Sequence, residues 1–395
     1  MDDATRGGTT LPQNFRALLD PVTPDRFEAE YRDRGHLHVP GAEDKFAGIF
    51  SWDALNGLLD MSTLWSSRTI SMAVQGPTLP AEDYCVPAVS RDGEPIMRPD
   101  RDRVMQQVRN GATLVLNLTE SLTPELAHVA GILQVVYGCP LKCNIYCSWQ
   151  ERQGFNAHFD HTDVFVLHIA GRKSWNLYEG FFENPVSETE FAFTALPRDF
   201  HDEKKGEIAE QLDLTPGDLL YIPKGQYHDA LASSEATLHL TFGIIQPNGV
   251  DLLGLIQHSL AEDPLFRAPL PHFDDVGEHE AHLKRLVDRL AEIVAMPSTR
   301  DYMRNYQQGS SLIDCLPAYD LPVSAPVSLY WVRRGMPASA LAALSEQERE
   351  VARWLEDREY VTMGDLTRAF ALWEPGALRQ VVERLAALRL IESRY

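Results

Sequence analysis

Residues 154–175, GFNAHFDHTDVFVLHIAGRKSW, decide how the rest of the chain is read. They set His158 and Asp160 two residues apart, just ahead of the apolar run 164–167. Side chains two apart on a β-strand share a face, so this imidazole and carboxylate can converge on one ion. The pattern also occurs at His161-x-Asp163 and His272-x-Asp274, so the choice among the copies rests on what surrounds them.

A second block, LTPGDLLYIPKGQYH at 214–228, makes that choice. Pro216-Gly217-Asp218 reads as a turn, 219–222 as a strand and 223–225 as a further turn that delivers His228 to the start of the next strand. A double-stranded β-helix, the cupin architecture, returns a distal histidine to an early His-x-Asp pair in this way. Two imidazoles and one carboxylate on one side of a metal form the facial triad suited to non-haem Fe(II), leaving the other side for a 2-oxo acid and O2. His158, Asp160 and His228 are the candidate ligands. His161-x-Asp163 lies three residues further on and is expected on the opposite sheet face. His272-x-Asp274 falls in a Pro-rich connection, and His36 and His38 read as alternating surface side chains. His168 and His239 sit in apolar strands and read as satisfied core histidines. The far carboxylate of 2-oxoglutarate would need a cation. Lys173 and Arg172 both follow at a turn, and their spacing alone leaves the choice between them open.

The remainder of the chain frames this core. Residues 1–22 read as a flexible leader. Capped helices are expected over 23–32 and 50–59, then a β-rich run at 112–118. Thr123-Pro124 should start an amphipathic helix that stops at Gly138. Short strands divided by Gly/Pro turns then run to about 249, and 23–250 reads as the catalytic domain. Residues 251–320 are helical, with Leu283, Leu286, Leu290 and Ile293 on one side. Residues 321–395, beyond the boundary marked by Pro322 and Pro326, hold three helical patterns and a terminal strand and look like a winged helix.

Bulk properties remove several function classes. Among 395 residues the formal charge is −21, which speaks against general nucleic-acid binding. The tail shares this property: its ten arginines are balanced by ten acidic residues, so a packing or partner-binding role suits it better than DNA reading. Five cysteines in a long chain do not suggest a disulfide framework, and Cys139, Cys143 and Cys147 read as small buried residues. No apolar run reaches the roughly 18 residues of a membrane span, and no signal-like segment opens the chain, so a cytoplasmic location is expected.

Several segments in order resemble the JmjC-type ribosomal oxygenases, which belong to the cupin-like 2-oxoglutarate dioxygenases. They are Gly111-Ala-Thr-Leu-Val-Leu-Asn, Asn144-Ile-Tyr146, Gly154-Phe-x-x-His-Phe-Asp, Asp163-Val-Phe-Val-Leu, Gly171-Arg-Lys-Ser-Trp, Pro216-Gly-Asp-x-Leu-Tyr-Ile-Pro-x-Gly and Leu238-His-Leu-Thr. The resemblance runs from Thr23 to the C-terminus. It implies a mixed α+β chain with N-terminal helices, a JmjC/cupin core, a helical segment that makes a homodimer and a C-terminal winged helix. It also implies Fe(II) on His158, Asp160 and His228, and 2-oxoglutarate on Lys173, with Asn144, Tyr146 and Thr241 as polar contacts. The implied activity is O2-dependent hydroxylation of a protein side chain, a ribosomal-protein histidine or arginine. A ribosomally made natural-product precursor is the alternative substrate, and a regulatory winged-helix protein with a vestigial cupin the non-enzymatic alternative. The chain departs from its relatives at 148–153, before the iron motif, and matches no motif over 77–101 and 179–205, where substrate selection would lie.

Overall fold

The computed structural model describes residues 11–74, 76–149, 156–187, 193–232, 236–311, 329–332, 336, 338–356, 358, 360–370, 373 and 375–394. The chain divides into two compact units, 1–316 and 317–395. The outer part of the leader, Gly154, Phe155, the 150–153 departure, Cys315, Pro322 and Pro326 fall outside the described residues.

The first unit contains ten α-helices among its described residues. They are α1 (Phe15–Leu19), α2 (Pro24–Glu30), α3 (Trp52–Asp60), α4 (Arg101–Arg109), α5 (Pro124–Tyr137), α6 (Arg198–Lys204), α7 (Gly249–Glu262), α8 (Pro264–Arg267), α9 (Val276–Ala295) and α10 (Pro297–Ser311). Its strands are β1 (Leu37–Val39), β2 (Ile70–Ala73), β3 (Cys85–Val89), β4 (Pro95–Pro99), β5 (Thr113–Leu116), β6 (Leu141–Trp149), β7 (Asp163–Ala170), β8 (Lys173–Phe181), β9 (Ile208–Leu214), β10 (Leu219–Ile222), β11 (Gln226–Ala232) and β12 (Ala236–Ile244). A seven-stranded sheet runs β1-β10-β7-β12-β6-β5-β2, and a three-stranded sheet runs β11-β8-β9. All pairings are antiparallel.

Period-two alternation assigns the two faces of the large sheet. On β6, Leu141, Cys143, Ile145 and Cys147 are buried in one core, which they share with α1, α2, α3 and α5. Lys142, Asn144 and Tyr146 alternate with them on the other face. On that second face Val164, Val166, Leu220 and Ile222 meet Trp175, Leu177, Leu212 and Leu214 of the small sheet. The space between the sheets therefore begins as an apolar sandwich, and the polar strand positions beside it open the pocket described below.

Local chemistry explains the helix that precedes β6. Thr123 Oγ1 accepts from the Leu126 amide at 3.2 Å, Pro124 occupies the first turn, and Gly138 ends the helix at φ 61°. The leader reading needs correction inside 11–22. Asn14 caps α1 through its side chain, and Phe15, Leu18 and Leu19 are buried in the main core. A five-residue helix gives almost no periodic signal, and only tertiary burial stabilises it. In α9, Leu286, Leu290 and Ile293 are partly or fully buried, whereas Leu283 is exposed, as are Val276 and Val287.

The second unit has its own core, which includes Val351, Leu355, Leu366, Leu385 and Ile391. Its helices α11 (Ala338–Ala342), α12 (Glu346–Leu355), α13 (Met363–Ala369) and α14 (Pro375–Ala387) accompany strands β13 (Leu329–Val332), β14 (Tyr360–Thr362) and β15 (Ile391–Arg394). The terminal strand was legible, but β13 and β14 were not. They are four and three residues long, and β13 pairs with both β14 and β15.

Candidate metal and anion site

His158, Asp160 and His228 each present a ligand atom within 4.8 Å of the others. His158 and Asp160 do not lie on a continuous strand, as their spacing suggested; β7 begins only at Asp163. An isolated antiparallel bridge to β11 orders them instead. The His158 amide donates to the His228 carbonyl at 3.0 Å, and the His228 amide donates back at 2.8 Å. The Gly225 amide also donates to the Asp160 carbonyl at 2.9 Å.

Each imidazole is oriented by its own backbone. His158 Nδ1 lies 2.7 Å from the Asn156 carbonyl, and His228 Nδ1 lies 3.0 Å from the Gln226 carbonyl. An N–H on each Nδ1 leaves each Nε2 with a lone pair, the state a metal ligand needs. His228 Nε2 stands 3.6 Å from Asp160 Oδ2. Burial, with His158 beside it, pushes the His228 pKa down to about 4. Burial opposes ionisation of Asp160, but His158, His228 and Lys142 outweigh it and hold the carboxyl below its ordinary range. Two neutral imidazoles and one carboxylate form a donor set that fits a divalent cation.

The competing motifs serve other purposes. Asp163 is fully buried and accepts from Tyr221 Oη at 3.2 Å and the Lys224 amide at 2.9 Å. It thus pins the turn that delivers His228. His161 lies between the bridge and β7 rather than on the opposite face of a strand. His272 and Asp274 are exposed, 3.6 Å apart. His38 Nε2 faces Asp218 at 3.4 Å, and the His36 ring contacts Glu210 and Gln226. Cys139, Cys143 and Cys147 are buried in the helix-side core.

Lys173 lines the same pocket as the three candidate ligands and is 5% exposed. No ion pair or hydrogen bond holds its Nζ among the described residues. Burial lowers its pKa to about 8. Arg172, the rival cation, points outward with Asp213 at 4.0 Å, both side chains more than half exposed. Tyr146 and Thr241 also line the pocket. Asn144 sits beside them, its side-chain oxygen accepting from the Leu118 amide at 3.3 Å and its side chain bonded to Tyr146.

Three pocket-lining side chains with polar atoms were missed: Thr113, Trp175 and His239. His239 was read as a satisfied core histidine, yet its Nδ1 has no partner and its ring faces the pocket. Period two carried a usable signal, since His239 lies two residues from Thr241 and Trp175 two from Lys173. His168 fits its core reading on one side, with Nε2 3.0 Å from the Gly171 carbonyl. An outer layer was also invisible in sequence. Asp229, next to His228, accepts from Tyr178 Oη at 2.6 Å and Asn176 Nδ2 at 2.8 Å, which ties β11 to β8.

Comparison with known proteins gives these residues a context. The JmjC domain family model matches residues 118–252. Ribosomal oxygenase 1 of Gallus gallus is 27% identical over 360 residues, covering 86% of this chain and 56% of its own length. The bifunctional lysine-specific demethylase and histidyl-hydroxylase NO66 of Dictyostelium discoideum is 26% identical over 298 residues, covering 70% and 54%. The chain thus spans about half the length of these curated relatives. Among solved structures, E. coli ribosomal oxygenase YcfD aligns over 94% of this chain and 98% of its own, with TM-score 0.52 and 14% identity. YcfD in complex with cobalt and 2-oxoglutarate aligns at TM-score 0.51 and 16% identity over 95% and 99%. At these identities the structural likeness concerns the fold. Residues 118–252 thus match the JmjC domain family, and the chain as a whole is similar to the ribosomal oxygenases.

Proposed function

We propose that this protein is an Fe(II)- and 2-oxoglutarate-dependent dioxygenase that hydroxylates a side chain of a protein, a histidine or arginine of a ribosomal protein. One observation carries the reading. A His-Asp-His donor set, with one ligand atom of each residue within 4.8 Å of the others, shares a pocket with a buried lysine that has no anionic partner among the described residues. The substrate class rests on the relatives, one named a histidyl-hydroxylase and others ribosomal oxygenases.

Bound Fe(II), with 2-oxoglutarate and O2, supplies oxidative decarboxylation to succinate and CO2 and insertion of one oxygen atom into a C–H bond. His158, Asp160 and His228 hold the metal on one side, with Asn156 and Gln226 carbonyls keeping the imidazoles in register. Lys173 pairs the far carboxylate, and its burial makes that pairing stronger than in water. Tyr146, Asn144 and Thr241 orient the co-substrate between the two ends. Val164, Val166 and Trp175 exclude water from the pocket wall.

Residues 251–311 form a homodimer interface in this reading. Its support is a set of exposed apolar side chains that includes Phe273, Val276, Leu283 and Val287. The C-terminal unit is read as a winged helix serving packing or partner contact. No described helix is long and apolar enough to cross a membrane.

The test is incubation of the Fe(II)-loaded protein with 2-oxoglutarate and O2, with ribosomal proteins present. Succinate should form and a ribosomal protein should gain about one oxygen mass. Absence of succinate from the wild type, or undiminished turnover by His158→Ala, would refute the proposal.

A further inference from the structure

The inner end of the pocket is lined by polar groups without partners. Lys173, 5% exposed, lines it without a hydrogen bond or ion pair to any described residue, and Trp175 Nε1, a donor only, is buried without an acceptor among the described residues. His239 is 2% exposed, and its Nδ1 is buried without a hydrogen-bond partner among the described residues. Buried polar atoms left unpaired are rare and point to a missing partner. The neighbouring hydroxyls are already engaged. Thr113 Oγ1 bonds Ser148 Oγ at 3.0 Å, and Tyr146 bonds Asn144. His239 is also held rigidly: its ring stacks on Tyr146 at 4.9 Å and 2° and meets Trp175 edge-on at 5.8 Å. An uncharged imidazole follows from this setting, because burial, Lys173 and His168 all disfavour a proton on it.

We infer that His239 is a specificity-determining residue for the co-substrate, giving a neutral hydrogen bond to the acidic group that Lys173 pairs, with Trp175 Nε1 as its companion. The inference rests on the 2-oxoglutarate reading above and adds to it. Lys173 supplies charge, which any anion satisfies. His239 and Trp175 supply directed donors from fixed rings, which a planar carboxylate with two oxygens can meet together. A ligand whose far end lacks acceptors would leave these groups unpaired and bind poorly.

The experiment measures 2-oxoglutarate binding to the full-length, Mn(II)-loaded protein by calorimetry, without turnover. His239→Phe keeps a flat ring on Tyr146 and removes both nitrogens; His239→Gln retains a donor. The expected result is an affinity loss of about 10- to 100-fold in the Phe variant and recovery to within severalfold of wild type in the Gln variant, with Mn(II) affinity unchanged in both. A folded His239→Phe that binds 2-oxoglutarate like wild type overturns the inference, as does equal weakness of Phe and Gln. If wild type binds Mn(II) but no 2-oxoglutarate, the functional reading itself falls and takes the inference with it. Should His239→Phe fail to fold, 15N-histidine NMR of the Zn(II)-loaded wild type decides. Adding 2-oxoglutarate should produce one exchange-protected ring N–H that is absent from His239→Gln, and its failure to appear overturns the inference.

Discussion

Replacing Lys173 by Met should move stability and ligand affinity in opposite directions. Lys173 is buried, and its pKa is lowered from the ordinary 10.5 to about 8. At about 1.4 kcal/mol per tenfold, keeping it protonated at neutral pH costs the folded protein about 3 kcal/mol. Methionine has a similar length and no charge, so it removes that cost with little repacking. The metal-free, ligand-free variant should therefore melt higher, by about 5 °C for a unit of this size. The same change deletes the partner of a buried carboxylate, a loss of about 2–5 kcal/mol, which weakens 2-oxoglutarate at least about 30-fold. Scanning calorimetry with and without ligand reads both effects. In wild type, ligand at a hundredfold excess over Kd should add about 2.7 kcal/mol of stability, and in Lys173→Met the same ligand concentration should add no more than about 0.9 kcal/mol. A variant that melts lower while binding 2-oxoglutarate normally would show that Lys173 is a structural side chain, and the reasoning would fail.

The same lysine sets a pH dependence. It is protonated below about 8, so 2-oxoglutarate affinity should be flat to about pH 7.5 and fall by up to tenfold per pH unit above 8; Lys173→Arg should abolish the bend, since Arg stays charged. The folded-state stability of the free protein should have the opposite trend from this group. Its pKa is depressed, so the penalty is complete below about 8 and relieved as pH rises towards 10.5, which urea titrations across that window would detect. Asp229→Asn replaces an acceptor of two hydrogen bonds beside His228, and chemical denaturation should show a loss of about 1–3 kcal/mol. Gly217→Ala should be more damaging: Gly217 has φ +92°, and a Cβ there would sit 1.9 Å from the Ala42 carbonyl oxygen, so a loss above about 3 kcal/mol is expected from melting curves.

The chemistry of the candidate site was largely legible in sequence because it depends on residue type and short spacing. His158-x-Asp160, the 216–218 turn and His228 could be connected without coordinates, since turns and strand lengths alone return His228 to the early pair. The helix over 124–137 was equally readable, its cap, proline and stop glycine each acting within a few residues. The resemblance to JmjC oxygenases favoured Lys173, but spacing could not separate it from Arg172. Only the fold made the distinction, by turning one cation under the large sheet and the other towards Asp213 in solvent.

What tertiary structure alone decided shares one physical cause: it depends on partners far apart in sequence. Residues 15–19 look like part of a loose leader until burial in the main core stabilises them as a helix. Asp163 resembles a ligand until Tyr221 and the Lys224 amide claim its oxygens. His158 and Asp160 seem to need a strand, yet a single bridge to His228 aligns them. His239 reads as an ordinary core histidine because apolar neighbours flank it in sequence. Whether such a ring nitrogen is satisfied depends on three other strands, and here those strands leave it facing the pocket beside Lys173. Residue chemistry could be read locally, but whether each polar atom already had a partner was settled only by packing.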